Sequence, residues 1–89
     1  MDGMRAVLIH FVAGWADPIC GPHRIEVASA AERLGVTVRE IDYDLAVEEV
    51  RLYDVLNVPA IAIEGSPESL VVGAVGADQL VERLQRFVG

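Results

Sequence analysis

The sequence predicts an α/β three-layer sandwich, a four-stranded mixed sheet with helices on both faces in the order βαβαββα. Three observations lead there. The first apolar run, Ala6 to Val12, is continuous rather than alternating, as in a strand covered on both faces. A segment of helical spacing separates it from a β-branched run, and a strand, helix, strand order implies a right-handed parallel pair. Two further β-rich runs flank Gly65-Ser66-Pro67-Glu68, which reads as a hairpin turn.

The elements follow in order. After the first strand, Ala13 to Gly21 reads as a loop punctuated by Gly14, Pro18 and Gly21. A helix is expected over Pro22 to Leu34. Pro22 suits its first turn, where a missing N–H costs nothing, and Gly35 suits the position past its end. Ile25, Ala28, Ala31 and Leu34 form its expected apolar stripe, with Glu26, Glu32 and Arg33 outward. Val36 to Tyr43 is the second strand. A short helix over Ala46 to Leu56 places Val47, Val50 and Tyr53 on one face. Pro59 to Glu64 and Ser69 to Val75 are the hairpin strands. The last helix, Ala77 to Val88, has Asp78 in its first turn and Leu80, Val81, Leu84 and Val88 inward.

Size and composition bound the rest. Eighty-nine residues imply one domain, 1–89, with one core, and an apolar fraction of 53% excludes disorder. The net charge of −7 argues against nucleic acid and against an anionic membrane, because phosphate binding needs a basic patch. One cysteine, Cys20, excludes an internal disulfide and a thiol-rich zinc site; His10, Cys20 and His23 are the one alternative metal set, and without a carboxylate of evident spacing no metal is expected. A lone thiol suits a reducing compartment, and a cytoplasmic monomer is the expectation, with a dimer left open. The apolar run after Met1-Asp2-Gly3-Met4-Arg5 is too short to span a bilayer, and Trp15-Ala16-Asp17-Pro18 is a poor cleavage site.

The segment from Trp15 to His23 carries most of the chemical information. A cysteine at a helix start beside Gly21 and Pro22 meets unpaired N–H groups and the positive end of the dipole, both of which favour thiolate. His23, one turn on, is placed to activate it as imidazolium or as base. Against this stands a buried, inert Cys20 with His23 at the surface, a reading the segment alone leaves equally open.

The segment resembles the thioredoxin active site, Trp-Cys-Gly-Pro-Cys, with His23 in place of the second cysteine. Tyr53-Asp54-Val55-Leu56-Asn57-Val58-Pro59-Ala60-Ile61 is similar to the stretch bearing the thioredoxin cis-proline, and Val72-Gly73-Ala74 through Gln79-Leu80 to the stretch that opens the last helix. The resemblance covers nearly the whole chain, apart from the family's extra N-terminal strand and helix, and implies a thioredoxin-like fold of small, glutaredoxin-like size. It also implies a cis Val58–Pro59 bond and a free Val58 backbone that pairs with an extended peptide or glutathione, at a substrate-binding rim of Trp15, Gly21, Pro22, Val58, Pro59 and Gly73.

The departures matter as much. Without a second thiol, a mixed disulfide at Cys20 must be resolved from outside, by glutathione or another small thiol, so dithiol reduction is excluded. Trp15 to Cys20 is one position longer than the family pattern. A second register is therefore open, with Asp17 replacing the nucleophile and Cys20 at the buried second position. His10 interrupts the first strand near the family's buried acid. Of the glutathione-binding pattern of glutaredoxins, only Gly73 and Asp78 match. Two functions remain in view. One is monothiol exchange with protein or peptide thiols and disulfides, with Cys20 and His23 catalytic. The other is a redox-inactive module binding a protein or peptide at the Val58–Pro59 edge, beside Trp15, Ile19 and Val75.

Overall fold

In the computed structural model, which describes residues 6–88, the elements are β1 (Val7–Val12), a 3-10 turn (Gly14–Ala16), α1 (Asp17–Leu34), β2 (Thr37–Asp42), α2 (Val47–Leu52), β3 (Ala60–Ile63), β4 (Ser66–Val72) and α3 (Ala77–Val88). The segment Met1-Asp2-Gly3-Met4-Arg5 lies outside the described residues. The sheet order is β2-β1-β3-β4, with β1 and β2 parallel and β3 antiparallel to both of its neighbours. This is the predicted mixed sheet. Alternation along the buried strands feeds two cores. Leu8, Ile61 and Ile63 face Val27, Ala30, Leu80 and Leu84 of α1 and α3. Ile9, Phe11, Ala60 and Ala62 face Tyr53 and Val55 on the other side. Both faces are apolar, which is why β1 shows no alternation in sequence.

Helix α1 starts at Asp17, five residues earlier than expected. Pro18 takes the permissive first-turn position, and Pro22, which also suits a first turn, sits inside the helix. The shift changes the face that packs. Cys20, His23, Val27, Ala30 and Ala31 are buried, with Leu34 partly covered, a period near 3.6; Ile25 is 72% exposed and Ala28 points outward. Of the expected stripe, Ala31 and Leu34 lie on the packed face and Ile25 and Ala28 do not.

Two other boundaries moved. The hairpin turn is the pair Glu64-Gly65, between paired Ile63 and Ser66, and Gly65 takes φ +89°, a conformation open to glycine. Pro67 therefore lies within β4, on the sheet edge, where a missing N–H is tolerated. Helix α2 ends at Leu52, and Asp54 at φ 57° breaks the chain away before β3. Helix α3 matches its expected span.

A carboxylate from α1 fixes the start of α3. The Ala77 N–H donates to Glu26 Oε1 at 2.8 Å, capping one of the unpaired amides at that helix end. Replacing Glu26 by alanine is expected to cost about 1 kcal/mol in urea unfolding, the typical worth of a cap.

Candidate functional site

The sheet brings several distant segments to one end. In register, Phe11 lies opposite Ala60, Ala60 opposite Val72, and Val12 beside Asp42. The residues after β1, after β2, before β3 and after β4 therefore share an edge. It gathers Trp15, Asp17 and Ile19, then Tyr43 and Asp44, then Asn57, Val58 and Pro59, then Gly73. Of the sequence-predicted residues, Pro59 and Gly73 touch, while Trp15 lies at the same end of the sheet on the β2 side, against Tyr43 and Asp44. The Gly73 N–H donates to the Pro59 oxygen at 2.8 Å. Gly21 lies one turn along α1, beside the Asp17 carboxylate, and Pro22 follows it inside the helix.

Cys20 is not at the helix tip. It is the fourth residue of α1, has no exposed surface, and packs with Ala13, Ala16, Val58 and Ala60. The expectation of a thiol at the helix start is corrected by the earlier start of α1. Asp17, exposed, occupies the first helical position, and Cys20 takes the interior position of the second register. The sulfur still lies in the cluster that underlies Val58, so its place beside the proline edge holds while its exposure does not.

His23 is buried as well. Its Nε2–H donates to the Val75 oxygen at 2.8 Å, and its Nδ1 is buried without a hydrogen-bond partner. The ring stands edge-to-face on His10, with centroids 5.2 Å apart. His10 is 1% exposed, its Nε2 is unpartnered, and its Nδ1 lies 3.9 Å from Glu40 Oε2. Burial first, then the neighbouring His23, and last Arg24 lower His10 from the ordinary 6.5, with Glu40 opposing them, to about 4 in all. His23 thus ties α1 to the segment after β4. Among the described residues, no three His, Cys, Asp or Glu side chains gather to hold a metal ion.

The rim differs from expectation in its backbone. The Val58 N–H is not free, because it donates to Asn57 Oδ1 at 2.9 Å. The Val58 oxygen accepts no backbone hydrogen bond among the described residues. Around it, Trp15 is 63% exposed, Ile19 54% and Leu56 81%, whereas Val75 is half-buried against α3. The indole N–H of Trp15 donates to Asp44 Oδ2 at 2.9 Å, and its ring meets Tyr43 edge-on. Asp78, one of the two glutathione-pattern matches, is paired with Arg33 at 2.7 Å, and Glu26 holds the neighbouring helix amide.

Sequence reasoning missed Asn57, Asp44 and Glu26. Asn57 had a readable signal, a short amide side chain next to the residue whose N–H it takes. Asp44 and Glu26 act across 29 and 51 positions, and no local pattern announces them.

Comparison with known proteins agrees on architecture. The structure is similar to a mutant thioredoxin from Halobacterium salinarum, with 28% identity, TM-score 0.76, and coverage of 96% of this chain and 76% of that one. It is similar to thioredoxin 1 of Thermosipho africanus, with 12% identity, TM-score 0.70, and coverage of 91% and 92%. It is also similar to oxidised thioredoxin of Plasmodium falciparum, with 18% identity, TM-score 0.67, and coverage of 96% and 83%. No protein-family model matches the chain, and no curated protein does. The fold is thioredoxin-like.

Proposed function

We propose that this thioredoxin-like chain is a binding module that docks an extended peptide segment along the Asn57–Pro59 edge, with Cys20 serving as core. One observation carries the reading: the sulfur has no exposed surface, while Trp15, Ile19 and Leu56 stand open at the end of the sheet where the Val58 oxygen has no backbone partner among the described residues. An extended strand gains main-chain hydrogen bonds at such an edge and side-chain contacts at such a rim. Asn57 acts as a stand-in, its amide oxygen holding the N–H that a docked carbonyl would take.

The test is a titration of isotope-labelled protein with short alternating peptides, followed by backbone amide NMR. Shifts are expected at Asn57, Val58 and Gly73, unchanged when Cys20 is replaced by alanine. Asn57→Ala removes the internal competitor and is expected to tighten binding about fivefold, the worth of one hydrogen bond. Weaker binding by that variant, or shifts confined to other surfaces, rejects the reading.

A second reading is favoured by the solved thioredoxins: thiol–disulfide exchange at Cys20, with an outside thiol resolving the mixed disulfide. It requires the first turn of α1 to open, since a thiolate must reach a disulfide sulfur to attack it. Loss of peptide-induced shifts in Cys20→Ala, together with a trapped mixed disulfide in the parent protein, would favour it.

A further inference from the structure

We infer that the segment docking at this edge is basic as well as apolar, carrying an arginine or lysine beside its apolar residues. The inference rests on the docking reading above and adds the chemistry of the occupant. The apolar part of the rim, Trp15, Ile19 and Leu56, is uncovered, with Leu56 two residues before Val58 and Trp15 against Tyr43 and Asp44 at the same end of the sheet. Its surroundings are acidic. Asp17 follows Trp15 in the same loop-to-helix passage, and Asp42 and Asp44 leave the end of β2 next to it.

A cleft of about 330 Å³ opens between the ends of β1 and β2 and the start of α1, sharing Asp17 with the rim and lined by Glu40, Asp42 and the Arg24 guanidinium as well. That guanidinium is engaged by Glu40 and lies 3.6 Å from Asp17. Three carboxylates against one cation leave the cleft negative, matching the sign of the whole chain, −7.

The indole fits the same occupant. Asp44 holds its N–H edge, so the ring is fixed in place while 63% of Trp15 stays exposed. A cation placed over an indole face gains attraction from the ring, and carboxylates nearby add to it. An acidic segment meets like charge at each of these positions, and repulsion of wrong partners is where interface charge acts most strongly. The occupant this rim fits is therefore an extended strand whose alternate side chains are apolar and cationic.

Trp15 is the sole tryptophan, so its emission reports occupancy directly. Three probe peptides are compared, alternating valine with arginine, with glutamine or with glutamate, at low and high salt. The arginine peptide is expected to bind on the order of tenfold more tightly than the glutamate peptide, with the gap narrowing as salt screens the rim. In the double variant Asp17→Asn, Asp44→Asn, which keeps acceptors at both positions, the gap is expected to shrink severalfold. Equal binding of all three peptides with shifts at Asn57, Val58 and Gly73 overturns the charge preference and leaves docking intact. An arginine preference undiminished in the double variant overturns the assignment to this rim. Absence of shifts with every peptide overturns the docking reading itself.

Discussion

Iodoacetamide will alkylate Cys20 in the folded protein at least about a hundredfold more slowly than in the urea-unfolded chain. The sulfur belongs to a side chain with no exposed surface, packed against Ala13, Ala16, Val58 and Ala60, and reagent reaches it only through an opened state. Each tenfold of protection reports about 1.4 kcal/mol of opening, so a hundredfold corresponds to roughly 3 kcal/mol, an ordinary cost for displacing a packed turn. Competition of the reagent with time-resolved mass measurement gives the ratio. A folded rate within tenfold of the unfolded one would show the thiol to be open, and thiol exchange would then replace docking as the leading reading.

The second large effect is acid lability centred on His10. Its ring protonates near 6.5 in the unfolded chain and near 4 in the fold, chiefly because burial penalises the cation. Between those values the unfolded chain binds more protons, so stability is full above pH 6.5 and falls as pH drops toward 4. The difference amounts to about 3 kcal/mol by pH 4. His23 packed against the ring and Arg24 beyond it oppose the charge, and Glu40, 3.9 Å from Nδ1, is too far to bond it. His10→Leu keeps the site apolar and is expected to lose most of this fall when urea unfolding is compared at pH 7 and pH 4. An identical fall in both proteins would place the acid sensitivity elsewhere.

Much of the architecture was legible because period and punctuation act locally. The continuous run of β1 reflects two apolar faces, and α3 was placed to the residue by its strong alternation of Leu80 and Leu84 with charged neighbours. The start of α1 was not legible, because Pro18 and Pro22 carry the same first-turn signal and only packing decides between them. That one displacement moved Cys20 and His23 from a reactive tip into the core. The hairpin slipped for a related reason: Gly65 and Pro67 both mark turns, and the left-handed demand at Gly65 prevailed while Pro67 was accepted on an edge. At the site, family order pointed to Pro59 and Gly73, which meet through a backbone hydrogen bond. The Asn57 and Asp44 contacts that shape the rim depend on tertiary placement, which spacing does not encode.

Pro22 leaves a mark on α1 beyond its phase. Without an N–H it gives nothing to the carbonyl of Pro18, and the helix is one rung short where its opening turn joins the rest. The opening turn Asp17–Gly21 is thereby joined to the rest of α1 by one backbone bond fewer than an unbroken helix would give it. Any local opening that uncovers the interior sulfur therefore starts with that rung already missing.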